Sequence, residues 1–154
     1  MHKFLSLVAG LVFSHAAQAD LVFEQASVRL MPAMQKNTAA FMKITNTGSE
    51  PVSLIEANSN ISEKTEFHTH IVQNDMMMMK KMDQLIIPAN QSIILESGAK
   101  HIMLLDLKRN WADQGEVEFI FRDKHQKSYS VIAPIQAMHH AQKPEKMEHK
   151  HHNH

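Results

Sequence analysis

Residues 65–82 read Thr-Glu-Phe-His-Thr-His-Ile-Val-Gln-Asn-Asp-Met-Met-Met-Met-Lys-Lys-Met. Two strand-like runs, Thr65–Val72 and Met76–Met82, flank the turn residues Gln73-Asn74-Asp75. An antiparallel hairpin is the economical fold for such a segment. A four-residue loop from Val72 to Asp75 pairs Ile71 with Met76. It therefore sets His70 against Met77 and His68 against Met79. Directly opposed residues on one face of a hairpin have Cβ atoms about 4.5–5.5 Å apart, close enough for both side chains to hold one ion. His70 and Met77 share that face, as alternates or as a second, weaker site.

The same grammar runs outward from the hairpin. Short apolar or alternating runs separated by turn residues predict further strands at Leu21–Arg29, Thr38–Asn46, Val52–Ala57, Ser92–Glu96, His101–Leu107, Val117–Arg122 and Ser128–Ile132. The breakers include Met31-Pro32, Asn46-Thr47-Gly48, Pro88-Ala89-Asn90, Ser97-Gly98 and Gln114-Gly115, where turns need Gly, Pro, Asn or Asp. No stretch between Asp20 and Ile135 sustains a helical period. The fold class is all-β, an antiparallel sandwich or small Greek-key barrel.

Three segments are expected. Residues 1–19 combine a cationic start at Lys3, an apolar run from Phe4 to Phe13 and the small-residue site Ala17-Gln18-Ala19. That is the pattern of a cleaved secretory signal peptide, too short for a stable membrane anchor. Residues 20–136 form the β-domain. Residues 137–154 carry Met138-His139-His140, Met147, His149, His151, His152 and His154 in a Lys/Glu/Pro background, and a disordered His/Met-rich tail is expected there.

Sixteen basic residues balance sixteen acidic ones, so charge gives no reason to expect nucleic acid or an anionic membrane as a partner. The absence of cysteine excludes a disulfide framework and thiol redox chemistry. No Ser-His-Asp arrangement, P-loop or paired-carboxylate pattern supports catalysis, and the chain is read as a non-enzyme.

Twelve histidines and twelve methionines are the unusual components. They contain one spaced set: His68, ten residues, Met79, twenty-one residues, then His101-Ile102-Met103. Chance produces that spacing at this composition roughly half a percent of the time. On a strand His101 and Met103 share a face, while Ile102 and Leu104 turn to the core. Two imidazoles and two thioethers form a soft neutral donor set that favours Cu(I) over hard cations. The histidine-dominated tail suits Cu(II) instead.

The segment His68-Thr-His70, Met77-Met-Met79, Ile87-Pro88-Ala89 and His101-Ile-Met103-Leu-Leu resembles the periplasmic copper A chaperone (PCuAC) family. The likeness extends through Val28-Arg29, Pro32, Ala39–Asn46 and Leu107-Lys108. The resemblance implies a cupredoxin-like β-barrel, with His68, Met79, His101 and Met103 as ligands. It further implies a monomeric periplasmic chaperone that binds Cu(I) and helps to metallate cytochrome c oxidase. Its partner would be the oxidase copper subunit or another assembly metallochaperone.

Two other functions fit less well. A periplasmic copper or zinc sequestration protein needs the same ligands without a delivery step. A cupin-like metalloenzyme could use His68-x-His70, but the Glu expected after the second histidine is absent, with Asp75 in its place, and thioethers suit non-haem iron poorly. Trp111 is expected to cap the barrel end and His125 to lie in a solvated turn. For Met31, Met34 and Met42, packing is the default role.

Overall fold

The computed structural model describes residues 21–137 except Ala33. The expected signal peptide, and the tail beyond Ala137, lie outside the described residues. Ten strands follow one another along the chain: β1 (Leu21–Arg29), β2 (Thr38–Asn46), β3 (Val52–Ser59), β4 (Ser62–Gln73), β5 (Met76–Met82), β6 (Leu85–Ile87), β7 (Ser92–Leu95), β8 (His101–Leu107), β9 (Glu116–Asp123) and β10 (Ser128–Gln136). A 3₁₀ turn at Trp111–Gln114 joins β8 to β9.

Seven of these strands close into a barrel. The hydrogen-bonded order β4-β8-β2-β1-β10-β9-β3 returns to its start because β3 also pairs with β4. Closure decides between the two expected architectures in favour of the barrel, and it removes most exposed sheet edges. Strands β5, β6 and β7 attach outside the ring, to β4, β3 and β2 respectively. The β1–β10 pair is parallel; the other pairs are antiparallel.

The interior follows from alternation. Phe67, Ile102, Leu104, Phe119 and Phe121 are buried, together with Val28, Ile44 and Leu54. Phe67 of β4 stacks on Phe121 at 6.1 Å, and Phe23 and Phe119 stack on the same Phe121 ring. Strand residues one position away from this core face outward. Burying Phe67, Ile102 and Leu104 therefore turns His68, His101 and Met103 to the opposite face of the sheet. Trp111 is buried in the core cluster, beside a second cavity at the β8–β9 connection. His125 is exposed between β9 and β10.

Besides shifted ends in β3, β4, β7, β9 and β10, the strand pattern departs from expectation in one omission and one register. Strand β6 was not expected, because three residues between Asp83-Gln84 and Pro88 are too few to show alternation; Leu85 and Ile87 nonetheless pack into the core. The hairpin register also differs. The β4–β5 turn contains two residues rather than four, Asn74 and Asp75, with φ of 53° and 58°. Two consecutive left-handed residues make the tight turn that matches strand twist, and Asn and Asp tolerate that conformation. Gln73 accordingly pairs with Met76, His70 with Met79, and His68 with Lys81. His68 and Met79 are thus diagonal neighbours rather than directly opposed.

Candidate metal centre

A two-residue register change leaves every side chain on its original face, because strand periodicity is two. His68, His70, Met79, His101 and Met103 therefore still share one side of the β5-β4-β8 sheet. His68 is the direct cross-strand partner of His101, and Glu66 that of Met103. The His68 and His101 rings lie 6.1 Å apart between centroids, and the His70 and His101 rings 5.2 Å apart.

A cavity of about 410 Å³ opens at this face, its walls including His70, Met79, His101 and Met103. Arg29, Met31 and Phe41 line it as well, and Arg29 lies over the Phe41 ring at 5.2 Å. Three of the four residues singled out by spacing are thus brought together. His68 stands beside His101 but outside the cavity wall. Met31 lines the cavity as well as packing against the core, whereas Met42 is buried and Met34 is exposed.

The β7–β8 loop orients two of the imidazoles. Gly98 adopts φ of 84°, a left-handed conformation in which side chains are strained. The tight turn is closed by Glu96 N–H donating to Lys100 O at 2.8 Å and Ala99 N–H donating to Glu96 O at 3.2 Å. It presents the Ala99 carbonyl to both rings: His101 Nδ1 donates at 2.9 Å and His70 Nδ1 at 3.2 Å. A carbonyl oxygen can only accept, so both neutral rings carry their proton on Nδ1 and keep the Nε2 lone pair.

His68 is held differently. Its Nε2 donates to Glu66 Oε2 at 2.9 Å, and Lys81 Nζ donates to Glu66 Oε1 at 2.7 Å. His68 Nδ1 is buried and has no hydrogen-bond partner. In the neutral ring that atom carries a lone pair. An imidazole that gives one N–H to a carboxylate and keeps its other nitrogen unengaged has the arrangement of a metal-ligating histidine. Each of the three histidines therefore has one nitrogen committed to an anchor and the other left as a donor.

Electrostatics favour the neutral ring at His101 and the ionised carboxylate at Glu66. Burial pushes the His101 pKa below the ordinary 6.5; the Ala99 bond acts upward against it, and smaller downward contributions come from His70, His68 and Arg29. The bond from Lys81, then that from His68, holds the Glu66 carboxyl below its ordinary 4.5. Among the described residues no three His, Asp or Glu side chains are gathered to hold a metal by themselves. A centre here depends on thioethers, which select Cu(I).

Sequence reasoning gave His70 a minor place, although the structure sets it in the cavity wall opposite Met79. It did not find Glu66, Lys81 or the Ala99 carbonyl. The only local signal for the last was Ser97-Gly98, read simply as a turn.

A family model described as putative lipoprotein LpqE-like matches residues 21–135. Among solved structures, the solution structure of CuI-DR1885 from Deinococcus radiodurans is 26% identical, with a TM-score of 0.61, covering 75% of this chain and 76% of that one. The copper-bound PCuAC domain from PmoF2 aligns with a TM-score of 0.63 at 16% identity, covering 77% of this chain and 93% of that domain. Such low identity speaks to the fold alone, which is the cupredoxin-like barrel expected above. The uncharacterized protein RP573 of Rickettsia prowazekii is 30% identical over 98 residues, 62% of this chain and 54% of its own length. A putative lipoprotein of Leifsonia xyli, Lxx21020, is 27% identical over 99 residues, 64% of this chain and 60% of its own. The chain thus spans little more than half the length of these curated relatives.

Proposed function

Because the chain belongs to the LpqE-like family, which is the family of the PCuAC domains, we propose that it is an exported copper chaperone. Its cargo is Cu(I), bound by His68, Met79, His101 and Met103, and its acceptor lies in cytochrome c oxidase assembly. A periplasmic location follows from the signal-peptide pattern in residues 1–19. Among the described residues no helix is long and apolar enough to cross a membrane.

The observation that carries the reading is the convergence of Met79, His101 and Met103 on one cavity wall, with the unpartnered His68 nitrogen beside them. Copper is bound in the CuI-DR1885 and copper-bound PmoF2 structures, which supports the choice of metal. Neutral ligands leave Cu(I) its full positive charge, where thiolates would neutralise it and bind harder. A site of this kind suits transfer by ligand exchange, and Met79, 55% exposed, places one ligand within reach of an acceptor.

Cu(I) competition against a chelator under reducing conditions tests the reading. Met79→Ala and Met103→Ala are each expected to weaken retention; unchanged retention in both variants would count against it. Delivery is separated from sequestration by a deletion strain. Loss of oxidase activity at low copper supports delivery, whereas sensitivity confined to high copper supports storage.

A further inference from the structure

Resting on the copper reading, we propose that His70 is a fifth ligand, and that Cu(I) occupies two interchangeable four-ligand sets. One set is His70, Met79, His101 and Met103; the other has His68 in place of His70.

Four observations lead to this assignment. His70 is the direct cross-strand partner of Met79, whereas His68 opposes Lys81. Direct partners are about 4.5–5.5 Å apart at Cβ and diagonal ones roughly 7–8 Å, so His70 reaches a metal held by Met79 with less rearrangement. The His70 ring is also nearer to His101 than the His68 ring is, 5.2 Å against 6.1 Å. His70 and His101 hang from the same Ala99 carbonyl, which leaves both Nε2 atoms as donors. Finally, His70 lines the cavity together with the other three members of its set.

His68 completes the second set through Nδ1, the nitrogen that Glu66 leaves unengaged. The Glu66–Lys81 pair fixes the ring through Nε2, so a metal moving to His68 meets an oriented donor. With three nitrogen donors for two places, one imidazole can bind as the other leaves. The metal then shifts between the barrel side and the hairpin side without losing its coordination number. Ligand exchange of this kind lowers the barrier to handing the ion on.

The test uses the full chain and Cu(I) itself. Nitrogen-detected NMR of the assigned histidine rings reports which nitrogens move on addition of one equivalent of Cu(I). Movement of His70 Nε2 together with His101 Nε2 and His68 Nδ1 is expected. Retention measurements complement it: His68→Ala and His70→Ala each lose no more than about tenfold in affinity, while the double variant loses far more than the product of the two. Amide spectra of the apo variants control for folding.

A His70 ring unmoved by Cu(I), with His68, His101 and the methionine methyls shifting, overturns the proposal and leaves the chaperone reading intact. So does a double variant no weaker than His68→Ala alone. Rings and methyls that all ignore Cu(I) overturn both.

Discussion

His70 and His101 donate to one and the same acceptor, the Ala99 carbonyl, at 3.2 and 2.9 Å. The two imidazoles come from strands that are not hydrogen-bonded to each other at that point, since β4–β8 pairing ends at His68 opposite His101. The shared carbonyl makes that link and fixes the tautomer of both rings.

Disturbing the loop that presents this carbonyl should therefore affect the metal site without removing a ligand. Gly98→Ala meets no neighbouring atoms but forces a side chain into positive φ. We expect a loss of about 1 kcal/mol in chemical denaturation, with weaker Cu(I) retention. A variant with native retention despite reduced stability would show that the tautomer lock is dispensable.

Phe67 holds β4 against the barrel from the face opposite the histidines, stacked on Phe121. Phe67→Ala should cost about 3–5 kcal/mol, as large-to-small changes of buried aromatics do. Cu(I) affinity should fall as well, because His68 lies next to the lost anchor. Equilibrium unfolding and chelator competition on the same preparation check both effects.

The burial of His101 has a pH consequence for the apo protein. Its pKa is lowered in the fold, so the unfolded chain takes up the proton first on acidification. The stability from keeping this ring neutral is complete above the ordinary value of 6.5 and is lost as pH falls from there toward the depressed folded value. Tm should thus drop as pH falls through the ordinary value of 6.5. His101→Gln should show a shallower decline, and an equally steep one would contradict the assignment. Glu66 adds a further loss at lower pH, because its carboxyl is held below 4.5 in the fold and its contribution disappears as it protonates.

The residues beyond Ala137 are expected to add sites for Cu(II), which nitrogen donors favour. Truncation after Ala137 should lower Cu(II) stoichiometry while leaving Cu(I) retention unchanged. Undiminished Cu(II) binding would remove the tail's assigned role.

Much of the barrel was legible because alternation and turn chemistry agree. Leu21–Arg29, Thr38–Asn46, Met76–Met82 and His101–Leu107 form strands with the expected bounds. Ile102 and Leu104 face the core as their spacing from His101 requires. The hairpin register was less legible. Two- and four-residue loops leave the same residues on the same face, so polarity cannot separate them; only the left-handed tolerance of Asn74-Asp75 favours the shorter turn. The neighbours of the histidines were not legible at all. Glu66 and Lys81 become partners through that register, and Ala99 reaches His70 through tertiary placement.

The outer position of β5 divides the centre mechanically. His101 and Met103 sit on a strand gripped along both edges, by β2 and β4, while Met79 rides on a ribbon fastened to β4 alone. Local opening of a singly paired outer strand leaves the closed ring intact. One thioether can swing away on its own scaffold, so the protein can loosen its grip on the ion without surrendering its folded body.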